Sequence, residues 1–283
     1  MKTYLNHIGT FATTGILTTA LFIGCQSTEY PDPQPATGAS TNQARFLFVN
    51  AAPGAPALNF LVENNQAGQS VAYGQNSTGY TAAQAGTIQL RARAASGNIG
   101  GVLGSNDILF RAGATNQNNF AAAANTNYTV FVTDTLNRPR PATSGGTNLG
   151  GPQFLVVTDN LTAPSAGNVG VRFFHLAPDA PAVSVRLQPQ ATGQTTPTFL
   201  NRAYRAISTG SGTTAVNFAS FTQVPAGTYT VQVFTGATIP ATANPALSQS
   251  VTLEAGKLYT LYARGLVRGT GGNTLGLGQI IHN

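Results

Sequence analysis

Charged side chains are scarce in this sequence, and tryptophan is missing altogether. Of the 283 residues only 8% are charged, and a single residue is cysteine. Globular proteins average ~25% charged residues and exposed helices are rich in them, so this scarcity argues against a protein built from long helices. One cysteine excludes an intrachain disulfide. Because 42% of the residues are hydrophobic and the net charge is only +6, the composition also excludes wholesale disorder.

The positive net charge comes from a shortage of acids, since the chain has 14 Lys and Arg against 8 Asp and Glu. The arginines are spread along the chain, and only three sets lie close together: Arg91 with Arg93, Arg138 with Arg140, and Arg202 with Arg205. Domains that bind nucleic acid carry their basic residues in patches or stripes. We therefore predict no nucleic-acid partner.

The N-terminal residues have the layout of a bacterial export signal. Lys2 precedes an uncharged, mostly apolar stretch, which the only cysteine, Cys25, follows directly. Residues 21–25 resemble the lipobox at which lipoproteins are cleaved and then acylated on the cysteine. We predict a signal peptide over residues 1–24, lipidation of Cys25, and a flexible Pro/Ser/Thr-rich tether over residues 25–43. The alternative is an ordinary signal peptide followed by a free thiol.

Lipidation would make the membrane the first partner of this protein. Each acyl methylene contributes ~0.8 kcal/mol when it is buried in the bilayer. Gln26 and Ser27 follow the cysteine in place of an aspartate, which by resemblance to lipoprotein sorting rules favours the outer membrane. The predicted location is the outer membrane or cell surface through the lipid anchor, with the periplasmic face as the alternative.

Three sequence blocks occur twice, in the same order but at varying spacing. The pairs are Phe46–Ala57 with Val171–Ala182, Gln84–Leu90 with Pro225–Val231, and Ala124–Phe131 with Ala255–Tyr262. Recurrence in a fixed order indicates tandem duplication of one unit. We predict a first repeat over residues 44–161, a linker over residues 162–168 and a second repeat over residues 169–283.

Within each repeat the hydrophobic pattern is that of β-strands. In Thr87–Arg93 and Thr228–Val233 apolar residues alternate with polar ones, as in strands with one buried and one wet face. Tyr128–Val132 and Leu258–Ala263 are expected to behave in the same way. No window shows a capped helical stripe. The sequence therefore predicts an all-β protein of two tandem antiparallel immunoglobulin-like β-sandwich domains, with about seven strands each.

The second repeat carries a specific family resemblance. Its segments Val171–Pro181 (VRFFHLAPDAP), Val224–Tyr229 (VPAGTY) and Ala255–Thr260 (AGKLYT) resemble the family called domain of unknown function 4397. The first repeat departs from this motif, with Asn50 in place of the histidine and Gly54 in place of the aspartate. The resemblance implies a bacterial extracytoplasmic protein, often tandem and often lipid-anchored, and it implies no catalytic residues.

His175 and Asp179 are the pair of residues most suggestive of chemistry. With Ser184 nearby in sequence, they could supply a nucleophile, a base and an orienting group. The first repeat has Asn50 and Gly54 at the same positions, and neither can act in this way. We therefore expect structural roles, with His175 bonded to a turn and Asp179 accepting N–H groups of its own Pro-Asp-Ala-Pro corner. The pair is kept as a candidate polar site, and the chain is predicted not to be an enzyme.

No sequence pattern indicates a metal ion or a cofactor. After the signal only two histidines remain, His175 and His282, and the acidic residues stand apart from one another. No glycine fingerprint for phosphate binding lies between a strand and a helix. We therefore predict neither a metal nor a cofactor. Thr135, within the sequence Asp-Thr-Leu, resembles the O-glycosylation motif of one bacterial phylum and is a candidate modification site.

The predicted function is a non-enzymatic cell-envelope lipoprotein that displays two β-sandwiches for binding, adhesion or scaffolding, with a glycan or a surface protein as ligand. Irregular segments carry variable contacts on a rigid platform, so the contacts are expected in Gly68–Thr81, Asn137–Gly151 and Gln188–Gly212. The aromatic residues expected near such a site are Tyr73, Tyr80, Tyr204 and Phe218. One alternative is an envelope hydrolase that uses His175 and Asp179, and another is a structural subunit of a surface complex.

Overall fold

The chain is all β over the residues that the structure, a computed structural model, describes: 42–111, 119–142, 148–242 and 244–282. These residues form strands, turns and two single 3-10 turns, which confirms the predicted fold class. In the described ranges no helix is long and apolar enough to cross a membrane. The predicted signal peptide, Cys25 and nearly all of the predicted tether lie outside the described residues.

The described part of the first repeat contains nine strands, of which seven have four or more residues. They are β1 (Gln43–Asn50), β2 (Leu58–Val62), β3 (Asn65–Gln66), β4 (Thr81–Gln84), β5 (Gly86–Ala94), β6 (Ile108–Leu109), β7 (Asn119–Ala122), β8 (Asn127–Thr133) and β9 (Gln153–Asp159). One sheet has the order β4-β1-β8-β9. The other has the order β3-β2-β5-β6, and β7 also pairs with β5.

The second repeat follows the same plan. Its strands are β10 (Asn168–His175), β11 (Val183–Pro189), β12 (Thr198–Arg202), β13 (Ser208–Thr209), β14 (Val216–Asn217), β15 (Thr222–Pro225), β16 (Gly227–Thr235), β17 (Leu247–Leu253), β18 (Leu258–Arg264) and β19 (Gly276–His282). One sheet has the order β15-β10-β18-β19 and the other β12-β11-β16-β17, while β13 and β14 form a small hairpin. Strand β12 therefore lies inside Gln188–Gly212, which the sequence analysis treated as a loop.

Each repeat contains one parallel strand pair, although the sequence analysis expected antiparallel sheets throughout. Strand β1 pairs in parallel with β8, and β10 pairs in parallel with β18. The other strand pairs are antiparallel. A parallel pair needs a long crossover connection. In both repeats the chain makes that connection mainly through strands of the opposite sheet.

Strands β5 and β16 bury alternate residues, as the sequence predicted. Ile88 and Leu90 are buried in β5, and Tyr229 and Val231 are buried in β16, with half-buried residues between them. These side chains fill the core between the two sheets of their own repeat. Each fully buried aliphatic or aromatic side chain contributes about 1.5–3 kcal/mol relative to an exposed one. Each repeat thus has its own sandwich core.

Strands β8 and β18 do not alternate, which corrects the sequence analysis. From Tyr128 to Thr133 every residue of β8 is buried, and in β18 every residue from Leu258 to Ala263 is buried. The neighbouring strands β1 and β10 are also buried over most of their length. The sequence of a strand that is covered on both faces is typically a continuous run of apolar residues. Something other than solvent must therefore cover the outer faces of these strands.

The outer faces are covered by the other repeat. An inter-repeat cluster of buried side chains joins the β1, β8 and β9 residues Leu47, Val49, Phe131 and Val157 to Phe174, Leu176, Phe218, Tyr262 and Ile280 of the second repeat. The ring of Phe131 meets the rings of Phe174 and Tyr262 edge to face, with centroids 5.9 and 5.6 Å apart. Such pairs add about 0.5–1.5 kcal/mol beyond the burial of area. The two sandwiches are therefore packed together through an apolar interface.

The connector between the repeats has a local turn at one end and a bond to the second repeat at the other. At one end the side chain of Asn160 accepts hydrogen bonds from the N–H and hydroxyl of Thr162. At the other end the Ser165 hydroxyl donates to Gln223 at 2.7 Å, next to the start of β10 at Asn168.

Candidate functional site

His175 is locked into the turn that follows β10. The imidazole is 1% exposed. Its Nε2 lies 3.0 Å from the carbonyl oxygen of Pro181, and its Nδ1 accepts the N–H of Ala177 at 3.4 Å. These partners require the neutral ring with the proton on Nε2. Burial lowers the pKa of His175, in keeping with a neutral ring.

The first repeat makes the same two bonds with an amide. Asn50 Nδ2 donates to the carbonyl oxygen of Pro56 at 2.9 Å, and its Oδ1 accepts the N–H of Ala52 at 3.4 Å. These partners occupy the same places in the Ala-Pro-X-Ala-Pro corner as those of His175. The position therefore needs one donor and one acceptor that flank a single carbon atom. The geometry of His175 agrees with its predicted structural role.

Asp179 is also structural, but its partners differ from those that the sequence analysis expected. Its carboxylate accepts the backbone N–H groups of Val267 and Arg268, at 2.8 and 3.3 Å. These groups belong to the loop after β18 and not to the Pro-Asp-Ala-Pro corner. No hydrogen bond joins Asp179 to His175 within the described chain.

Ser184 completes neither a triad nor a pocket. Its hydroxyl is buried, donates to the carbonyl oxygen of Gly236 at 2.9 Å and accepts the N–H of Asn201 at 3.1 Å. The hydroxyl thus joins three strands or strand ends instead of facing a substrate. The structure does not bring His175, Asp179 and Ser184 together as reacting groups.

Thr135 lies half-buried in the turn after β8. Its N–H donates to the carboxylate of Asp134 at 2.8 Å, and Asp134 has the unusual backbone angle φ = 88°. The modification of Thr135 stays a prediction. Within the described residues no group of three His, Cys, Asp or Glu side chains is placed to hold a metal ion.

A buried ion pair crosses the interface between the repeats, and the sequence analysis did not foresee it. Arg172 of β10 and Asp159 at the end of β9 lie 2.5 Å apart with fully buried side chains. The guanidinium also donates to the hydroxyl of Thr260 at 2.7 Å and to the carbonyl oxygen of Ala219 at 3.1 Å. Its carbon lies 4.5 Å from the ring centroid of Phe221. Such full pairing is what a buried charge requires.

His282 and Tyr80 extend this polar cluster. The Tyr80 hydroxyl lies 2.7 Å from both Asp159 Oδ2 and His282 Nδ1, and His282 Nε2 lies 2.7 Å from the hydroxyl of Thr260. The Thr260 hydroxyl oxygen accepts a hydrogen bond from Arg172, so the hydroxyl proton points at His282. A neutral His282 imidazole with its proton on Nδ1 then gives every polar group of the cluster a partner. Burial, followed by the charge of Arg172, lowers the pKa of His282 to about 3.

One sequence signal could have revealed this cluster. Arg172 interrupts the apolar run Val171-Arg172-Phe173-Phe174 of a strand that is buried on both faces. A charge in such a strand needs a buried partner of opposite sign. The partner could not be identified from the sequence, because Asp159 belongs to the other repeat.

The aromatic residues expected to form a binding surface are mostly engaged inside the protein. Phe218 is 2% exposed, and the guanidinium carbon of Arg202 lies 3.5 Å from its ring centroid. Tyr80 belongs to the polar cluster, and Tyr204 packs against the ring of His175 with centroids 6.0 Å apart. The half-buried Tyr73 lies under the guanidinium of Arg264. They do not form one exposed platform.

The cleft between two of the predicted loop regions is the best candidate for a binding site. It has a volume of about 260 Å³ and is lined by residues of the first repeat together with Arg205 of the second. The loop over residues 137–151 contributes Arg138, Asn148 and Leu149, and Arg205 comes from Gln188–Gly212. Leu149 is 40% exposed. The cleft thus combines polar and apolar groups at the junction of the repeats, as ligand pockets commonly do.

Comparison with known proteins gives one family match. A family model described as a domain of unknown function, DUF4397, matches residues 44–186, which span the first repeat, all of β10 and the beginning of β11. The match is not confined to the second repeat, whose motif carried the resemblance. No curated protein matches the chain.

The solved structures that match include the 1.67 Å crystal structure of a candidate cell adhesion protein from Bacteroides eggerthii DSM 20697. It is 10% identical over 87% of this chain and 97% of that chain, with a TM-score of 0.16. A TM-score of this size carries no argument about fold or function.

Proposed function

We propose that this chain, which belongs to the family of the domain of unknown function DUF4397, is a non-enzymatic binding module of the bacterial cell envelope. In this proposal the cleft at the junction of the repeats receives the ligand. Acylated Cys25 holds the protein on the outer membrane, and the following tether keeps the sandwiches away from the bilayer.

The observation that carries the proposal is the convergence of two loop regions on one cleft. Arg138, Asn148 and Leu149 come from one region and Arg205 from the other, more than fifty residues later in the chain. The sequence analysis had chosen both regions as ligand contacts. Binding residues commonly lie on loops that a rigid scaffold positions.

The scaffold has the rigidity that such a site needs. The apolar interface between the repeats includes Phe131, Phe174 and Tyr262, and the ion pair of Arg172 and Asp159 lies beside it. Relative motion of the sandwiches would expose these groups to water, at a large cost in free energy. Arg205 is consequently held at a fixed position against the first repeat.

The hydrolase alternative has less support, because the proposed base is already used. Both ring nitrogens of His175 are engaged by backbone groups, and the ring is buried. A general base must reach a substrate proton with a free nitrogen. The role of a structural subunit in a surface complex stays open as a second use of the same platform.

An array of glycans and surface proteins, probed with the labelled full-length protein in detergent, tests the proposal. We expect a defined set of bound ligands. Replacing Leu149→Trp places a large ring in the cleft and should abolish that binding. Leu200→Trp is the matched control, because Leu200 is 47% exposed and does not line the cleft. Equal binding by both variants, or no ligand for the wild type, would contradict the proposal.

A further inference from the structure

Arg205 is a largely buried cation that has no ion-pair partner among the described residues. Its guanidinium lines the cleft, and burial lowers its pKa. Nη2 donates to the carbonyl oxygen of Phe154 at 2.6 Å, but Nε is buried without any hydrogen-bond partner. A buried charge without a counter-ion is costly. An anion that entered the cleft would offset this cost.

The backbone around Arg205 is built to hold the side chain at this place. Its φ of 58° lies in the left-handed region, which residues other than glycine seldom adopt. Its N–H donates to the carbonyl oxygen of His175 at 2.9 Å. Strained backbone of this kind is often found at ligand sites, where the surrounding structure stabilises it.

The other charges near the cleft leave it positive. Three arginines line the cleft, against one acidic residue, Asp107. The carboxylate of Asp107 is already held by Arg93, at 2.8 Å. A further carboxylate, that of Asp134, pairs with Arg138 at 3.4 Å. The carboxylate of Asp134 also attracts the charge of Arg205, but both acidic groups form ion pairs with other arginines and neither forms one with Arg205.

A second buried arginine shows what distinguishes Arg205. Arg202 also has buried nitrogen atoms without hydrogen-bond partners, Nε and Nη1. Its guanidinium stacks on the ring of Phe218, however, at 3.5 Å from the centroid, and it does not line the cleft. A cation over an aromatic face is partly compensated inside the protein. Arg205 faces a cavity that a ligand can enter.

The rest of the lining indicates what kind of anion fits. The amides of Asn106 and Asn148 line the cleft, where each already bonds to a backbone group, and Leu149 offers an apolar surface to a ring face. The volume of about 260 Å³ lies below the roughly 300–1,000 Å³ of pockets for drug-sized ligands. The cleft therefore has room for one sugar residue and not for a large ligand.

We propose that the cleft binds the carboxylate of an acidic sugar, a uronic acid residue, and that Arg205 is its counter-ion. This inference rests on the proposed binding function and names the ligand class of the same site. Arginine recognises carboxylates through paired, charge-assisted hydrogen bonds. The neutral part of the sugar would contact the amides and Leu149.

Calorimetric titration of the full-length protein in detergent, with four probes, tests this inference. The probes are D-glucuronate, D-glucose, acetate and inorganic phosphate. We expect glucuronate to bind at least about tenfold more tightly than glucose, because one charge-assisted bond is worth that factor. Acetate and phosphate should bind more weakly than glucuronate, since they lack the sugar ring. Equal affinity for glucuronate and glucose, or stronger binding of phosphate, would overturn the proposal.

Two arginine variants locate the site. Arg205→Gln should lower the affinity for glucuronate at least about tenfold and leave the affinity for glucose unchanged. Arg186→Gln is the matched control, because Arg186 lies on β11, pairs with Gln232 and does not line the cleft. Thermal unfolding verifies that both variants fold, and the four-probe comparison on the wild type decides the question without them. Ligand binding that Leu149→Trp abolishes but Arg205→Gln does not affect would leave the binding function standing and refute the acidic-sugar inference.

Discussion

The two repeats stabilise the same Ala-Pro-X-Ala-Pro corner with different side chains, Asn50 in the first and His175 in the second. Each donates one hydrogen bond to a proline carbonyl oxygen and accepts one from the N–H two residues later. An amide and a neutral imidazole are interchangeable for this purpose. A histidine in a family motif can therefore have a structural role, which depends on its shape and hydrogen bonds and not on its ability to titrate.

At the interface the repeats differ in a complementary way. Strand register places Leu47 of β1 at the position that Arg172 has in β10, and Asp159 of β9 at the position of His282 in β19. Thr129 and Thr260 are equivalent and each bonds to the cluster. The two faces have the same strand plan, and a few different side chains make them partners of opposite charge.

Breaking the ion pair should have the largest effect on stability. Arg172→Leu gives the second repeat the apolar residue that the first has at this place, but leaves the Asp159 carboxylate buried without its counter-charge. We expect a loss of about 3–5 kcal/mol in the free energy of unfolding, measured by urea denaturation. The double variant Arg172→Leu/Asp159→Leu should recover most of that loss, because apolar replacement of a buried pair is often neutral.

The exposed pair of Arg93 and Asp107 is the control for this experiment. Arg93→Leu should cost far less than Arg172→Leu, because exposed ion pairs contribute little to stability. A cost for Arg172→Leu no larger than that for Arg93→Leu would mean that the interface does not depend on the buried pair.

The two histidines should make stability fall in mild acid. The pKa of His282 is about 3 in the folded chain and about 6.5, the ordinary value, in the unfolded chain. Between these two pH values the imidazole is protonated in the unfolded chain and neutral in the folded chain. Stability is therefore full above about pH 6.5 and is lost as the pH falls, by up to about 1.4 kcal/mol per pH unit for each such group. Unfolding free energies measured from pH 7 to pH 4 check this slope.

His282→Gln identifies the group responsible. Glutamine stays neutral, so this variant should show a shallower decline of stability with falling pH than the wild type. His175→Asn removes the other titrating ring. Because burial also lowers the pKa of His175, this variant should likewise show a shallower decline of stability with falling pH. A slope that neither substitution changes would show that other groups control acid stability.

The smallest effect is expected from His175→Asn at neutral pH. The substitution copies Asn50 and can make the same two hydrogen bonds, so we expect a cost below about 1 kcal/mol. His175→Ala removes both bonds and leaves the buried N–H of Ala177 unsatisfied, which costs about 1–3 kcal/mol. Thermal unfolding of the two variants side by side checks the difference. Equal losses would show that the ring itself, and not its hydrogen bonds, matters here.

Much of the fold could be predicted from the sequence, because the signals are local. Alternation in β5 and β16 and the repeated Ala-Pro-X-Ala-Pro corner depend only on neighbouring residues. The exceptions share one cause. For Tyr128–Val132 the sequence predicts one solvent-exposed face, because the repeat that covers the second face of this strand lies far along the chain.

The site was less predictable than the fold, because residues that meet there lie far apart in the sequence. The structural role of His175 could be anticipated from Asn50, but the true partners of Asp179 are in a distant loop. Nothing in the sequence distinguishes Arg205 from an ordinary loop arginine, whose side chain is usually solvated. Only the fold shows that it is buried against Phe154 of the other repeat and faces a cleft.

The most direct test of the account compares His175→Asn with Leu149→Trp in ligand binding on the same array. A binding module with a structural histidine should retain its ligands in His175→Asn and lose them in Leu149→Trp. Loss of the ligands in His175→Asn, with binding intact in Leu149→Trp, would contradict the account. The functional site would then include His175 and not the cleft.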